Sequence, residues 1–440
     1  MNLVTLHHVG VAYDGYEALK NVDLTIAQDD FLGIIGPNGG GKTTLVKAIL
    51  GTVPHTGEVV LAPELFRGKE RLIGYMPQIS NFDRTFPISV LEVVLSGLQG
   101  HRGFVSRYTK EDRAKALGLL ETSGIGETAR SPIGEVSGGQ MQRALLCRAV
   151  ISDPKLLILD EPTSMLDPLA ARNLLATVQR INRELGVAIL MTEHRLDEVF
   201  PAADRVVTMD RGRILSDGAP AEIARQLSGS AEKSRIYFGL PAAVRIFSEL
   251  EQTDELPLTV RDGRRRLERL LPITAEASAP ETAKPEKEAK HPAVLEGKEL
   301  WFRYTEKGKD VLRGTDVTLH QGELLCLLGG NGAGKTTLMQ ALAGFRKPYR
   351  GKVKLAKGQR LCMLPQNARS LFVADTVEKE LLDSAEQDKA KAVQMAERLE
   401  LTPLLTRHPY DLSGGEIQRL AVGKLLLREA TVLLLDEPTK

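Results

Sequence analysis

The strongest constraint on how this 440-residue chain can fold is that it repeats itself. Gly-Pro-Asn-Gly-Gly-Gly-Lys-Thr-Thr-Leu at 36–45 returns as Gly-Gly-Asn-Gly-Ala-Gly-Lys-Thr-Thr-Leu at 329–338. Three more segments return in the same order. Met-Pro-Gln (76–78) becomes Leu-Pro-Gln (364–366), Ser-Gly-Gly-Gln (137–140) becomes Ser-Gly-Gly-Glu (413–416), and Leu-Asp-Glu-Pro-Thr occurs at 159–163 and 435–439. Ser137 to Asp160 and Ser413 to Asp436 both span 23 residues. Four ordered matches at a kept spacing mean two copies of one domain.

Residues 272–293, between the copies, are rich in Ala, Pro, Glu and Lys and poor in large apolar side chains, which predicts a mobile linker. The expected plan is a first domain over 1–230, an accessory segment over 231–271, the linker, and a second domain over 294–440. In the first copy about 65 residues, a strand and several helical stretches among them, follow Asp-Glu-Pro-Thr before that domain ends. The second copy has none of these, so it is expected to be truncated, with sheet edges and core exposed.

A net charge of +1 points to no polyanionic partner, and no nucleic acid is expected. Cys147, Cys326 and Cys362 are far apart, match no zinc or redox spacing, and read as small apolar residues of a reducing compartment. The N-terminus has no basic segment leading into an apolar run, and no stretch approaches the roughly 18 apolar residues of a membrane span. A soluble cytoplasmic protein, reaching a membrane only through partners, is the expectation.

Phe31–Ile35 is a short apolar strand, the glycines follow, and Leu45 to Leu50 continues as a helix. That context marks a phosphate-binding loop: glycines let successive backbone N–H groups converge on phosphate oxygens, and the helix N-terminus adds partial positive charge. Gly36, Pro37, Asn38, Gly39, Gly40, Gly41, Lys42, Thr43 and Thr44 are the expected binding residues of the first loop. Gly329, Gly330, Asn331, Gly332, Ala333, Gly334, Lys335, Thr336 and Thr337 are those of the second. Lys42 and Lys335 should reach the β- and γ-phosphates, with Thr43 and Thr336 offering hydroxyls to Mg²⁺. Leu156–Leu159 and Val432–Leu435 read as buried parallel strands, each ending in a carboxylate pair. Asp160 and Asp436 are placed to orient Mg²⁺ through water, and Glu161 and Glu437 to polarise an attacking water.

Ser137, Gly138, Gly139 and Gln140, matched by Ser413, Gly414, Gly415 and Glu416, stand before helices carrying Gln-Arg at 142–143 and 418–419. With the order of the other motifs, they make the chain resemble the ABC transporter ATPases over nearly its whole length. The resemblance implies an α/β fold of two tandem P-loop NTPase domains, each a RecA-like core with an antiparallel β subdomain and a helical insert. It implies ATP and Mg²⁺ as ligands and face-to-face pairing of the two cassettes, each ATP lying between one loop and the other cassette's Ser-Gly-Gly. The Gly36 loop would thus depend on Ser413, and the Gly329 loop on Ser137. It further implies adenine stacking on Tyr13 and Tyr304, sensing of Mg²⁺ and water by Gln78 and Gln366, signalling between sites through Ser164 to Asp167, and a γ-phosphate switch at His194. Glu416, in place of Gln140, would put an acid near the phosphate and weaken ATP binding at the first site.

The resemblance also implies transmembrane permease or coupling subunits as partners, with the chain peripheral on the inner face of the cell membrane. Asn81 to Val90 looks like zinc, manganese or iron importer ATPases. Thr192 to Val199, Leu256 to Arg264, and His408 to Gly415 look like energy-coupling-factor ATPases serving vitamin, cobalt and nickel uptake, and the tandem plan favours these. The rival is a soluble tandem cassette protein acting on the ribosome, for which Arg264 to Arg266 would be a contact.

Overall fold

A computed structural model describes residues 1–78, 86–101, 107–164, 166–193, 196–229, 235–250, 256–270 and 291–438. The chain divides into two compact units, Met1–Ala277 and Ser278–Lys440.

The first unit is built on a six-stranded sheet in the order Arg213–Gly218, Arg205–Asp210, Phe31–Ile35, Ala188–Glu193, Leu156–Asp160, Ile73–Met76. All neighbours pair in parallel except the first two. The three inner strands Phe31–Ile35, Ala188–Glu193 and Leu156–Asp160 are buried at every residue, as parallel strands covered on both faces must be. Alternation divides their side chains between two cores. Phe31, Ile35, Leu157, Leu159, Ile189 and Met191 face one, with the helices Gly138–Val150 and Pro168–Leu185. Leu32, Ile34, Leu156, Ile158 and Leu190 face the other, with the helix Lys42–Leu50 and an antiparallel sheet of Tyr16–Ala27, Asn2–Tyr13 and Thr56–Leu61.

An insert of helices, Val90–Leu95, Lys110–Thr122 and Gly138–Val150, packs into the first of these cores. Each starts at a reciprocal capping box, Ser89 with Glu92, Thr109 with Asp112, and Ser137 with Gln140, which satisfies helix amides without help from distant residues. Arg235–Phe238 and Ala242–Leu250 bring Tyr237, Val244 and Phe247 into the same core, and Leu267 of Val260–Leu270 packs against it.

The second unit repeats the antiparallel sheet, as Leu312–His320, Ala293–Phe302 and Arg350–Leu355, and the loop helix, as Lys335–Leu342. Its insert consists of Val377–Ser384, Lys389–Arg398 and Gly414–Leu427. The parallel sheet is reduced to Leu361–Leu364 beside Val432–Leu435, and Leu435, expected to be buried, is 39% exposed. Leu324 to Leu328, the counterpart of Phe31–Ile35, forms no strand pairing, and Leu324 and Leu328 are 90% and 92% exposed. In the first unit the strand partners are Ala188–Glu193 and Arg205–Asp210, both later in the chain than Asp160.

Matched substitutions separate these two environments. Ile35→Lys, which buries an unpaired charge in a sheet closed on both faces, should unfold the first unit. Leu328→Lys should change the thermal transition of the second unit by less than about 0.5 kcal/mol and should reduce aggregation in light scattering.

Candidate functional site

Parallel strands release their chain on a common edge, and in the first unit that edge gathers the loop after Ile35, Gln78 beyond Met76, Asp160 and Glu193. Ile35 lies opposite Glu193, and Asp160 opposite Thr192. The loop is shaped by glycine where nothing larger fits. A Cβ on Gly36 would come within 2.1 Å of the Met209 carbonyl oxygen. Gly41 sits at φ 102°, and a Cβ there would meet the Ala18 carbonyl oxygen at 2.9 Å.

Gly41 caps the helix Lys42–Leu50 with no side-chain acceptor, so the first helical amides stay available to an anion. Lys42 lies back across its own loop, Nζ donating to the carbonyl oxygens of Gly36 at 2.8 Å and Pro37 at 3.0 Å. Lys335 repeats this on Gly329 at 2.7 Å and Gly330 at 2.9 Å. Burial pushes the Lys42 ammonium below its usual range, against the pull of Glu161, Asp160 and Glu193.

Asp160 is 1% exposed. Its Oδ1 accepts from Thr192 Oγ1 at 2.6 Å and Thr43 Oγ1 at 3.3 Å, while Oδ2 is buried with no partner. Burial pushes the Asp160 carboxyl up, only partly opposed by those two hydroxyls. Burial and this carboxylate together push the Tyr75 phenol up to about 12. Asp436 Oδ2 is likewise buried and unpartnered. An orphaned carboxylate oxygen beside a threonine hydroxyl at a phosphate loop fits Mg²⁺, which takes few protein ligands and completes its shell with water and phosphate. Among the described residues no group of three or more His, Cys, Asp or Glu side chains forms a metal cage.

The residue after each aspartate adopts the same unusual backbone: Glu161 and Glu437 both have φ 50°. Glu161 Oε2 accepts from Gln78 Nε2 at 2.5 Å, and Glu437 Oε2 from Gln366 Nε2 at 2.8 Å. Each unit thus brings its glutamine against its own glutamate. The Glu161 amide donates to Thr192 Oγ1 and to the Thr192 carbonyl oxygen, both at 3.1 Å.

Ser137 and Ser413 are the N-caps of Gly138–Val150 and Gly414–Leu427. The Ser137 amide donates to Gln140 Oε1 at 2.9 Å, and the Ser413 amide to Glu416 Oε2 at 2.7 Å. The Glu416 carboxylate is thus folded back on its own cap. Burial acts to raise its pKa, but hydrogen bonds from Ser413 with the Arg419 and Arg407 charges outweigh this and hold it below the usual range. Asp167 caps Pro168–Leu185 by accepting from the Ala170 amide at 2.8 Å. Tyr304 shares a hydrogen bond with Thr337 Oγ1 at 2.9 Å, under the Arg346 guanidinium at 5.0 Å from the ring centre. Tyr13 is 40% exposed, and among the described residues no hydrogen bond joins it or Ser137 to the Gly36 loop. His194 lies outside the described residues.

Sequence reasoning passed over Thr192 and Glu193, each at most 1% exposed at the site edge. Thr192 holds Asp160 and Glu161; Glu193 Oε1 accepts from the Thr163 amide at 2.7 Å. Their signal was available: they end the apolar run 187–191, just as Asp160 and Glu161 end 156–159. Because Asp160 is raised in the folded state, its ionisation opposes folding. That penalty is absent below the unfolded carboxyl's range near 4 and grows as pH rises. Asp160→Asn should therefore raise the melting temperature of the first unit by roughly 2–4 °C at pH 7 without nucleotide or divalent cation, the gain disappearing towards pH 4 in calorimetry.

The family model described as ABC transporter matches residues 19–164 and 312–440. A Bacillus anthracis protein named by inference as an ABC transporter ATP-binding protein is 33% identical over 98% of this chain and 80% of its own length. A Streptomyces coelicolor protein named in the same way is 31% identical over 100% and 84%. Among solved structures, a nucleotide-free ATP-binding cassette from an ABC transporter is 26% identical with TM-score 0.47, covering 54% of this chain and 99% of its own. The Clostridium perfringens cbiO1 protein, part of the ABC transporter complex cbiONQ, is 24% identical with TM-score 0.42, covering 52% and 94%. Among the described residues no helix is long and apolar enough to cross a membrane. The chain belongs to the ABC transporter ATP-binding family, an ATP-hydrolysing family, and carries that family's cassette region twice.

Proposed function

We propose that this protein couples ATP hydrolysis to solute uptake through separate membrane subunits, as an importer ATPase of the energy-coupling-factor type. The observation that carries the ATPase half is the recurrence of one assembly in both units: a lysine folded over its phosphate loop, an orphaned buried aspartate oxygen, and a glutamate held by a glutamine. Two cassettes in one chain and the likeness at Thr192 to Val199 and His408 to Gly415 support the importer type. The chain works at the cytoplasmic face of the membrane, held there by its partners.

Lys42 exchanges the Gly36 and Pro37 carbonyls for β- and γ-phosphate oxygens, recovering the solvation lost on burial. Thr43 and Asp160 hold Mg²⁺, which supplies neutralisation of phosphate charge when bound; Thr336 and Asp436 do so in the second site. Glu161 and Glu437 accept the proton of the attacking water, released from Gln78 and Gln366, which then face that water. Ser137 and Ser413 present their capped helix N-termini to the γ-phosphate bound by the other cassette, Asp167 and His194 report its presence, and Tyr13 and Tyr304 carry adenine.

In a Lys335→Ala background, Glu161→Gln should retain ATP binding and lower turnover roughly 10²–10⁴-fold, whereas Lys42→Ala should weaken binding itself. Wild-type turnover in Glu161→Gln would remove that residue as the base. Purification from native membranes separates the cellular roles: a multi-span membrane protein is expected to come with the chain, and ribosomal RNA in its place would overturn the transport reading.

A further inference from the structure

We infer that Glu193 is a positioning residue for hydrolysis in the first unit, holding the turn that carries Glu161 against the strand that leads to His194. Adjacent residues of a strand leave it on opposite faces, yet Thr192 and Glu193 both fasten the same turn. Thr192 takes Asp160 Oδ1 and the Glu161 amide; Glu193 Oε1 takes the Thr163 amide at 2.7 Å. The turn from Asp160 to Thr163 is therefore strapped around the strand end by two side chains.

The strap continues into the next loop. Ser164 Oγ donates to the Glu161 carbonyl oxygen at 2.9 Å, and the Leu166 amide to the Thr163 carbonyl oxygen at 3.0 Å. Asp167 then caps the following helix. A shift at Thr163 would move the Glu161 backbone, held at φ 50°, and, through their hydrogen bonds to this turn, Ser164 and Leu166. Glu193 is 1% exposed and close enough to act on the Lys42 charge. A carboxyl group is costly to bury without a partner, and the Thr163 amide supplies one for Glu193. Its length matters as much: aspartate, one methylene shorter, would leave the Thr163 amide unreached.

Glu193→Gln, Glu193→Asp and Glu193→Ala in the full chain, each with Lys335→Ala to silence the second loop, separate acceptor geometry from charge. Turnover, KM for ATP and melting temperature are measured for each. Gln keeps an acceptor oxygen at the right reach, so its kcat should stay within about threefold of the parent. Asp and Ala should lose roughly 10- to 100-fold in kcat with KM changed less than about threefold, the signature of a misplaced catalytic group. Asp outperforming Gln would overturn the proposal in favour of charge. Unchanged kcat in Asp and Ala, or losses that follow KM or melting temperature alone, would overturn it outright. Should Ala fail to fold, the order of Gln and Asp still decides. The inference rests on Glu161 as the base, which Glu161→Gln tests separately.

Discussion

Parallel pairing of the strand Phe31–Ile35 on both sides is the constraint from which the first unit follows. With Ala188–Glu193 on one edge and Arg205–Asp210 on the other, its backbone groups are satisfied without water. Its side chains can then be divided between two dry cores. The same pairing aligns the strand ends, so that the loop after Ile35 emerges beside Glu193 and, one strand further, Asp160. The second unit shows the converse. Leu324 to Leu328 has similar apolar character but no flanking strands; Leu324 and Leu328 are exposed and only Leu327 packs on a core, while the antiparallel sheet and the insert keep their own cores.

Burial in a closed sheet also sets the electrostatics. Lys42, Asp160, Glu161 and Glu193 are at most 7% exposed, and desolvation pushes the lysine down and the aspartate up. Lys42 borrows two carbonyl oxygens, Glu161 borrows an amide from Gln78, and Asp160 leaves one oxygen unmatched.

Much of this was legible in the chain. Glycine spacing before a helix and apolar runs ending in carboxylates are local signals with local physical causes, and the helices and strands they mark lie at those positions. The Thr192 and Glu193 strap was harder to read because neither residue type is unusual at a strand end. Its meaning comes from the Thr163 amide 30 residues away. The folding of Glu416 onto its own cap was likewise hidden by attention to the residue type, since an acid near a phosphate and an acid in a capping box look the same in sequence.

By itself the sequence determined that there are two copies of one domain, and where each glycine loop gives way to a helix, because these rest on repetition and on backbone geometry. Tertiary structure alone decided which side chains share a site, that Asp160 keeps one oxygen unpartnered, and that corresponding apolar segments are fully buried in one copy and largely exposed in the other. The physical reason is that burial and strand pairing depend on segments distant in the chain. A segment such as Leu324 to Leu328 has the apolar character of a strand, but pairing is decided by other segments.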